Sequence, residues 1–330
     1  MGRIAWVLVG LVVSAAALAF VLTSRAPAPS ADGLCFVQND QVRCLFDGAE
    51  RALTSGPRAH FPAGVLDGRL LVMESQGEGD DHVERLLLVA FDGGVTELHG
   101  EARRARTPAV GSGYVVMESS RAGFSDLWRV YLDGGAEQLT NDGEAGSFEP
   151  QLLADGGVIH TSSRDGDPEL YELGGRRLTV NAAEDLAPRV SPRGDVIVFV
   201  SSRGGSDRLY VLGGGGGEPK LLHAEGLEAG PKPSGAPRED IEKDAVFTPD
   251  GREVVFAARS GGGRLRIWAV EIATGKARAL TDGAETCDQP AVSGERLAFV
   301  CGETPQLFVM RLDGGKATKV AGGWLPVWVR

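Results

Sequence analysis

A four-part unit recurs along this chain at a spacing of about 40 residues, and that period constrains the fold more than any other feature. In its clearest copy a proline with apolar neighbours leads into a turn, Ala187-Pro188-Arg189-Val190-Ser191-Pro192-Arg193-Gly194. An apolar run then ends in Ser-Ser-Arg (Val196 to Arg203), a short apolar strand follows (Leu209 to Leu212), and a glycine turn precedes a last strand at Lys220-Leu221-Leu222. Four short strands per unit predict an all-β chain folded as a propeller.

Counting the markers gives the number of blades. The glycine turn before the last strand occurs at Asp47-Gly48, Asp92-Gly94, Asp133-Gly135, Gly174-Gly175, Gly213-Gly217, Thr274-Gly275 and Asp313-Gly315, seven times in all. Such residues supply the positive φ that tight hairpins need. The second strand recurs at Leu34-Val37, Leu70-Glu74, Tyr114-Glu118, Val158-Thr161, Val196-Val200, Val254-Ala257 and Leu297-Cys301. A first-strand proline stands at Pro62, Pro108, Pro150, Pro188, Pro290 and Pro326, and the sixth unit reads Asp244-Ala245 instead. The first unit lacks a first strand, and the C-terminus carries a lone one, Trp324-Val329. Each end supplies what the other lacks, so the expected fold is a seven-bladed propeller of four-stranded blades over 34–330, closed by the C-terminal strand. A six-bladed ring is the alternative.

The repeat with its Pro188-x-x-Ser191-Pro192-x-Gly194, Phe199-x-Ser201-x-Arg203 and Leu209-Tyr210 resembles the WD40-like repeat of the TolB family. Pro249-Asp250-Gly251 with Val255-Phe256 and Arg259, and Ser162-Ser163-Arg164 with Leu170-Tyr171, resemble it too. The resemblance implies a binding or scaffold propeller of the cell envelope with a protein or peptide partner. The same repeat also builds the propellers of prolyl-oligopeptidase-like serine peptidases, which implies one alternative, an accessory propeller of a separately encoded peptidase; the carboxylates Glu149, Asp244 and Asp288 leave a second, a metal-dependent propeller hydrolase or lactonase. TolB proteins carry an α/β domain ahead of the propeller, whereas here Thr23 to Gly33 alone separates the apolar segment from the blades.

Residues 4–22 carry no charge and, as a helix at about 1.5 Å per residue, span roughly 28 Å. They read as a signal anchor or a signal peptide (1–23) followed by a linker (24–33), and either places the propeller in the periplasm or another extracytoplasmic space, with the anchor holding it to the inner membrane. The cysteines agree with export. Cys35 and Cys44 face each other across a turn at Asn39-Asp40, and Cys287 and Cys301 are symmetric about Gly294 in the turn Ser293-Gly294-Glu295. Both pairs are expected to form disulfides.

Other chemistry is absent from the sequence. There is no Gly-x-Ser-x-Gly elbow and no phosphate loop. His60, His82, His99, His160 and His223 follow no metal-ligand spacing, and the acidic stretch Gln76–His82 lacks the spacing of a calcium loop. The formal net charge of −11 argues against nucleic acid. The expectation is a non-enzymatic protein with no cofactor and no metal. Arg121, Arg164, Arg203 and Arg259 end second strands, Glu149 and Asp244 are placed before first strands, and Asp288 lies two before Pro290. Together these seven form the candidate binding face. Glu225–Lys243, a Pro-, Gly- and charge-rich insertion, and the loop Glu74–Glu84 are expected on the same face.

Overall fold

The computed structural model describes residues 32–77, 82–102, 104–222, 242–259 and 263–329. The apolar segment 4–22, most of the insertion and the centre of the acidic loop lie outside the described residues. No helix among the described residues is long and apolar enough to cross a membrane.

Seven antiparallel sheets are arranged in chain order. Blade 1 runs outward as β27 (Trp324–Val329), β1 (Gly33–Gln38), β2 (Gln41–Phe46) and β3 (Ala49–Ala52). Blade 2 is β4 (Ala59–Leu66), β5 (Arg69–Gln76), β6 (Val83–Val89) and β7 (Val95–Ala102). Blade 3 is β8 (Ala105–Val110), β9 (Tyr114–Ser119), β10 (Asp126–Tyr131) and β11 (Ala136–Gln138). Blade 4 has β12 (Ser147–Leu152), β13 (Val158–Ser162) and β14 (Glu169–Glu172), its outermost strand reduced to the bridge between Tyr171 and Arg177. Blade 5 is β15 (Asp185–Val190), β16 (Val196–Ser201), β17 (Arg208–Gly213) and β18 (Lys220–Leu221). Blade 6 is β19 (Glu242–Phe247), β20 (Glu253–Arg259), β21 (Leu265–Glu271) and β22 (Ala277–Ala279). Blade 7 is β23 (Cys287–Ser293), β24 (Arg296–Cys301), β25 (Gln306–Arg311) and β26 (Thr318–Gly322). The seven first strands touch one another in sequence and close on themselves through β27, so the ring has seven blades and not six.

The core is a circle of interfaces. Each apolar cluster joins two neighbouring blades, which explains why second strands read as continuous apolar runs: they are buried on both faces, and alternate residues serve different neighbours. In β16, Ile197 and Phe199 pack toward blade 4 while Val198 packs toward blade 6. In β24, Leu297 and Phe299 face blade 6, and Ala298 and Val300 face blade 1.

A threonine hydroxyl completes the outer edge in four blades. Thr54, Thr140, Thr179 and Thr281 each accept the backbone N–H of the third strand (Val42, Leu127, Leu170, Ile267) at 2.9–3.0 Å. The Leu-Thr pair that carries them recurs in the sequence at the blade period, a signal that the strand and turn markers left unused.

Both disulfides form as expected from facing positions. Cys35 pairs with Cys44 across a two-residue turn in which Asn39 and Asp40 have φ of 51° and 59°. Cys287 pairs with Cys301, but the hairpin differs from the expected one. The turn is Gly294-Glu295, with Ser293 opposite Arg296, and an extra residue between Asp288 and Ala291 restores Cys287 to a place opposite Cys301. The inferred turn was half a residue off, and the bulge compensated for it.

Ring closure rests on β27, which pairs with β1 from Gly33–Val329 to Val37–Trp324. Deleting residues 326–330 strips β1 of its partner and uncovers Leu34, Phe36 and Ala298. Thermal melting of the truncated propeller is expected to show loss of the cooperative transition or a large fall in Tm. Unchanged melting would contradict closure by this strand.

Candidate functional site

A β-bulge stands at the proline position of each first strand, which is Ala245 in blade 6. All seven inner strands break register at this place, blade 1 through the pairing of β1 with β27. In six of them a non-glycine residue has left-handed φ between 48° and 56°: Thr107, Glu149, Ala187, Asp244, Gln289 and Leu325. Such backbone costs on the order of 1 kcal/mol or more per residue, and a bulge frees an N–H from the ladder.

For three of these residues a side chain at the same position of the preceding blade accepts the N–H. Ala187 N donates to Glu149 Oε2 at 2.7 Å, Gln289 N to Asp244 Oδ2 at 3.3 Å, and Leu325 N to Gln289 Oε1 at 2.7 Å. Blades 4 to 5, 6 to 7 and 7 to 1 are thereby coupled at the channel wall. Glu149 Oε2 also accepts from Thr161 at 3.1 Å.

This corrects the expected placement of the acidic residues. Glu149 and Asp244 lie within β12 and β19, not ahead of them, and Asp288 lies within β23. The expected boundary fails because the bulge makes the strand continue on both sides of a left-handed residue. Glu149 and Asp244 flank Arg189 of blade 5. Burial lowers the Arg189 pKa, and the charges of Glu149 and Asp244 act in the opposite direction. Arg189 is half-buried to water, yet protein surrounds it across the channel, so burial dominates. Its Nη1 donates to Pro188 O at 2.9 Å. The sequence reading missed Arg189 because nothing local distinguishes it from a surface arginine.

The arginines after second strands occupy the face formed by the loops between second and third strands. In three successive blades a buried serine, Ser119, Ser162 or Ser201, accepts the N–H of Arg121, Arg164 or Arg203 at 3.3 Å and shapes the turn. Each guanidinium then lies over an aromatic ring of the third strand: Arg121 over Trp128 at 5.3 Å, Arg164 over Tyr171 at 3.8 Å and Arg203 over Tyr210 at 4.8 Å. Arg203 also pairs with the fully buried Asp185 at 2.6 Å. Arg259 differs, donating to Gly263 O at 3.2 Å. The aromatic partners stand seven residues after each arginine, a spacing present in the sequence but uninterpretable without the hairpin register.

The structure therefore divides the seven candidates. Arg121, Arg164 and Arg203 lie on the loop face, Arg259 ends β20 toward that face, and Glu149, Asp244 and Asp288 belong to the channel wall. The part of the insertion between 223 and 241 lies outside the described residues; β19 already begins at Glu242, two residues inside the expected loop. Among the described residues no group of three or more His, Cys, Asp or Glu is placed to hold a metal ion.

No protein-family model matches the chain. A TolB homologue of Chlorobium luteolum is 26% identical over 170 residues, which span 50% of this chain and 35% of that relative. The TolB structure from Acinetobacter baumannii superposes with a TM-score of 0.55 at 20% identity, over 93% of this chain and 69% of that one. The propeller is TolB-like. A puromycin hydrolase structure matches with a TM-score of 0.64 at 18% identity, over 86% of this chain and 50% of the hydrolase. At these identities the solved structures establish the fold alone. The chain matches about a third of the length of the curated relative.

Two histidines buried in the TolB-like blades make stability depend on pH. His99 accepts from or donates to Ser119 Oγ at 2.7 Å, and burial, then the Arg121 charge, lowers its pKa to about 4. His160 is lowered to about 4 chiefly by burial, with Arg164 adding to the fall and the Thr161 carbonyl and Asp142 opposing it. In the unfolded chain both return to about 6.5, so the unfolded state binds more protons between these values. The stability owed to these two rings is complete above about pH 6.5, declines by about 1.4 kcal/mol per pH unit for each ring, and falls no further on their account below about pH 4. Urea melts of His99→Phe and His160→Phe are expected to show a shallower acid slope than the parent. An unchanged slope would show that neither ring contributes. In the channel wall, Glu149→Ala is expected to cost about 1–3 kcal/mol, because it leaves the Ala187 N–H without its acceptor. Glu149→Gln, which keeps an acceptor oxygen, should cost less in the same melts.

Proposed function

We propose that the chain is an exported, membrane-tethered propeller that binds a protein or peptide partner in the cell envelope and serves as a scaffold without catalysing a reaction. The observation that carries this reading is a TolB-like propeller stapled by two hairpin disulfides, bonds that persist in oxidising compartments. Residues 1–23 act as signal anchor, 24–33 as linker and 34–330 as propeller, with residues 4–22 in the inner membrane and the blades in the periplasm.

The docking face is the one carrying Arg121, Arg164 and Arg203. It also presents Phe124 and Val180, exposed at 48% and 76%, in the loops of blades 3 and 4. Rigid blades hold these loops in place, so recognition there costs little ordering entropy. The described ends of the insertion, Leu222 and Glu242, and of the loop between β5 and β6, Gln76 and Val83, lie on the same face, and Arg259 on its rim. A second reading, an accessory propeller for a separately encoded peptidase, is favoured by the match to half of the puromycin hydrolase chain. A hydrolase built on channel carboxylates is disfavoured, since Glu149 and Asp244 accept backbone N–H groups of the next blade.

A photoreactive amino acid at Phe124 or Val180 is expected to cross-link one envelope protein in intact cells. The same residue at Val95, exposed at 61% near the turns of the opposite face, should not. Equal cross-linking from Val95, or none from the other two, would remove the partner from this face.

A further inference from the structure

We infer that the propeller stands with the face of its first-to-second and third-to-fourth strand turns toward the bilayer, and therefore presents the arginine-bearing face away from the lipid surface. This rests on the reading of residues 4–22 as an uncleaved anchor.

The geometry begins at Gly33. It is opposite Val329 on one side and Phe46 on the other, the latter beside the Asp47-Gly48 turn. The chain thus joins the ring at the turn end of blade 1. Asp32 is fixed there by Arg296 at 2.6 Å, and Arg296 follows the Gly294-Glu295 turn of blade 7. Arg296 in turn lies over the Trp328 ring of the closing strand at 4.3 Å. The point of attachment is therefore locked to blades 7 and 1.

The tether is too short to reverse this orientation. Residues 23–32 extend at most about 36 Å. To bring the opposite face to the bilayer, the tether must pass outward over β2 and β3, roughly 10 Å at about 4.8 Å per strand. It must then climb a strand height of about 20 Å, and then clear the loops beyond. Little or no length remains.

The surface chemistry of the turn face suits a spacer facing lipid. Four of its charged turns pair opposite charges two residues apart: Asp67 with Arg69, Arg193 with Asp195, Asp250 with Arg252, and Arg311 with Asp313. These four turns offer no unpaired positive charge to grip anionic headgroups, so the anchor holds the propeller down. The occupant of the space below the turn face is the bilayer, and a soluble partner meets the other face first.

The test uses the full chain reconstituted in vesicles of phosphatidylethanolamine and phosphatidylglycerol that carry a headgroup-attached quencher. A fluorescent noncanonical amino acid replaces Asp133 or Asp313 on the turn face, or Asp165 or Asp167 on the loop face, leaving the disulfides intact. Quenching several-fold stronger from Asp133 and Asp313 is expected, because the faces differ by a full strand height. Equal quenching, or stronger quenching from Asp165 and Asp167, overturns the orientation while the tether stands. Release of the chain from the vesicles by alkaline carbonate overturns the anchor and the orientation together.

Discussion

Everything in this molecule depends on one pairing, that of the last strand with the first. Each blade buries its two faces against its neighbours, so no blade has a core of its own, and an open ring would leave two faces and two sheet edges in water. The pairing of β27 with β1 removes both. The disulfides lie in the blades on either side of this seam. Cys35–Cys44 staples the strand that receives β27, and Cys287–Cys301 staples blade 7. Each closes a short loop and contributes roughly 2–3 kcal/mol if the chain-entropy account holds.

The bulges show how a propeller couples its blades at the axis. Six left-handed, non-glycine residues are an expensive feature to repeat. Three of them, Ala187, Gln289 and Leu325, turn an N–H toward the preceding blade, where Glu149, Asp244 and Gln289 supply an acceptor. Carboxylates that resemble a catalytic or metal-binding pair thus have a structural role that accounts for their presence. On the outer face the Ser-x-Arg turns do similar work within blades, since the serine fixes the turn and the aromatic ring holds the guanidinium. The arginines that remain partly exposed are rigid, and rigidity favours recognition.

Much of this was legible from the residues. Strand positions, blade number and both cysteine pairings followed from turn chemistry and from apolar runs. The Cys287–Cys301 pairing was found from a hairpin centre that was slightly wrong, because the bulge that corrects it leaves only a proline in the sequence. Glu149 and Asp244 were misplaced for the same reason, as a bulge cannot be told from a strand boundary without its partner strand. The Leu-Thr closures were present in the sequence and were overlooked because no strand or turn marker depends on them.

The sequence by itself determined the hairpins. Their registers are set by turns of two or three residues and by alternation over fewer than 20, so the physics is local. It also determined that the ends must meet, since each lacks what the other holds. Only the tertiary structure decided which groups face the channel, which arginines lie over rings, and on which face the chain joins the ring. Those contacts link residues a whole blade or a whole ring apart, and they depend on how twisted sheets pack around an axis, which no single repeat encodes.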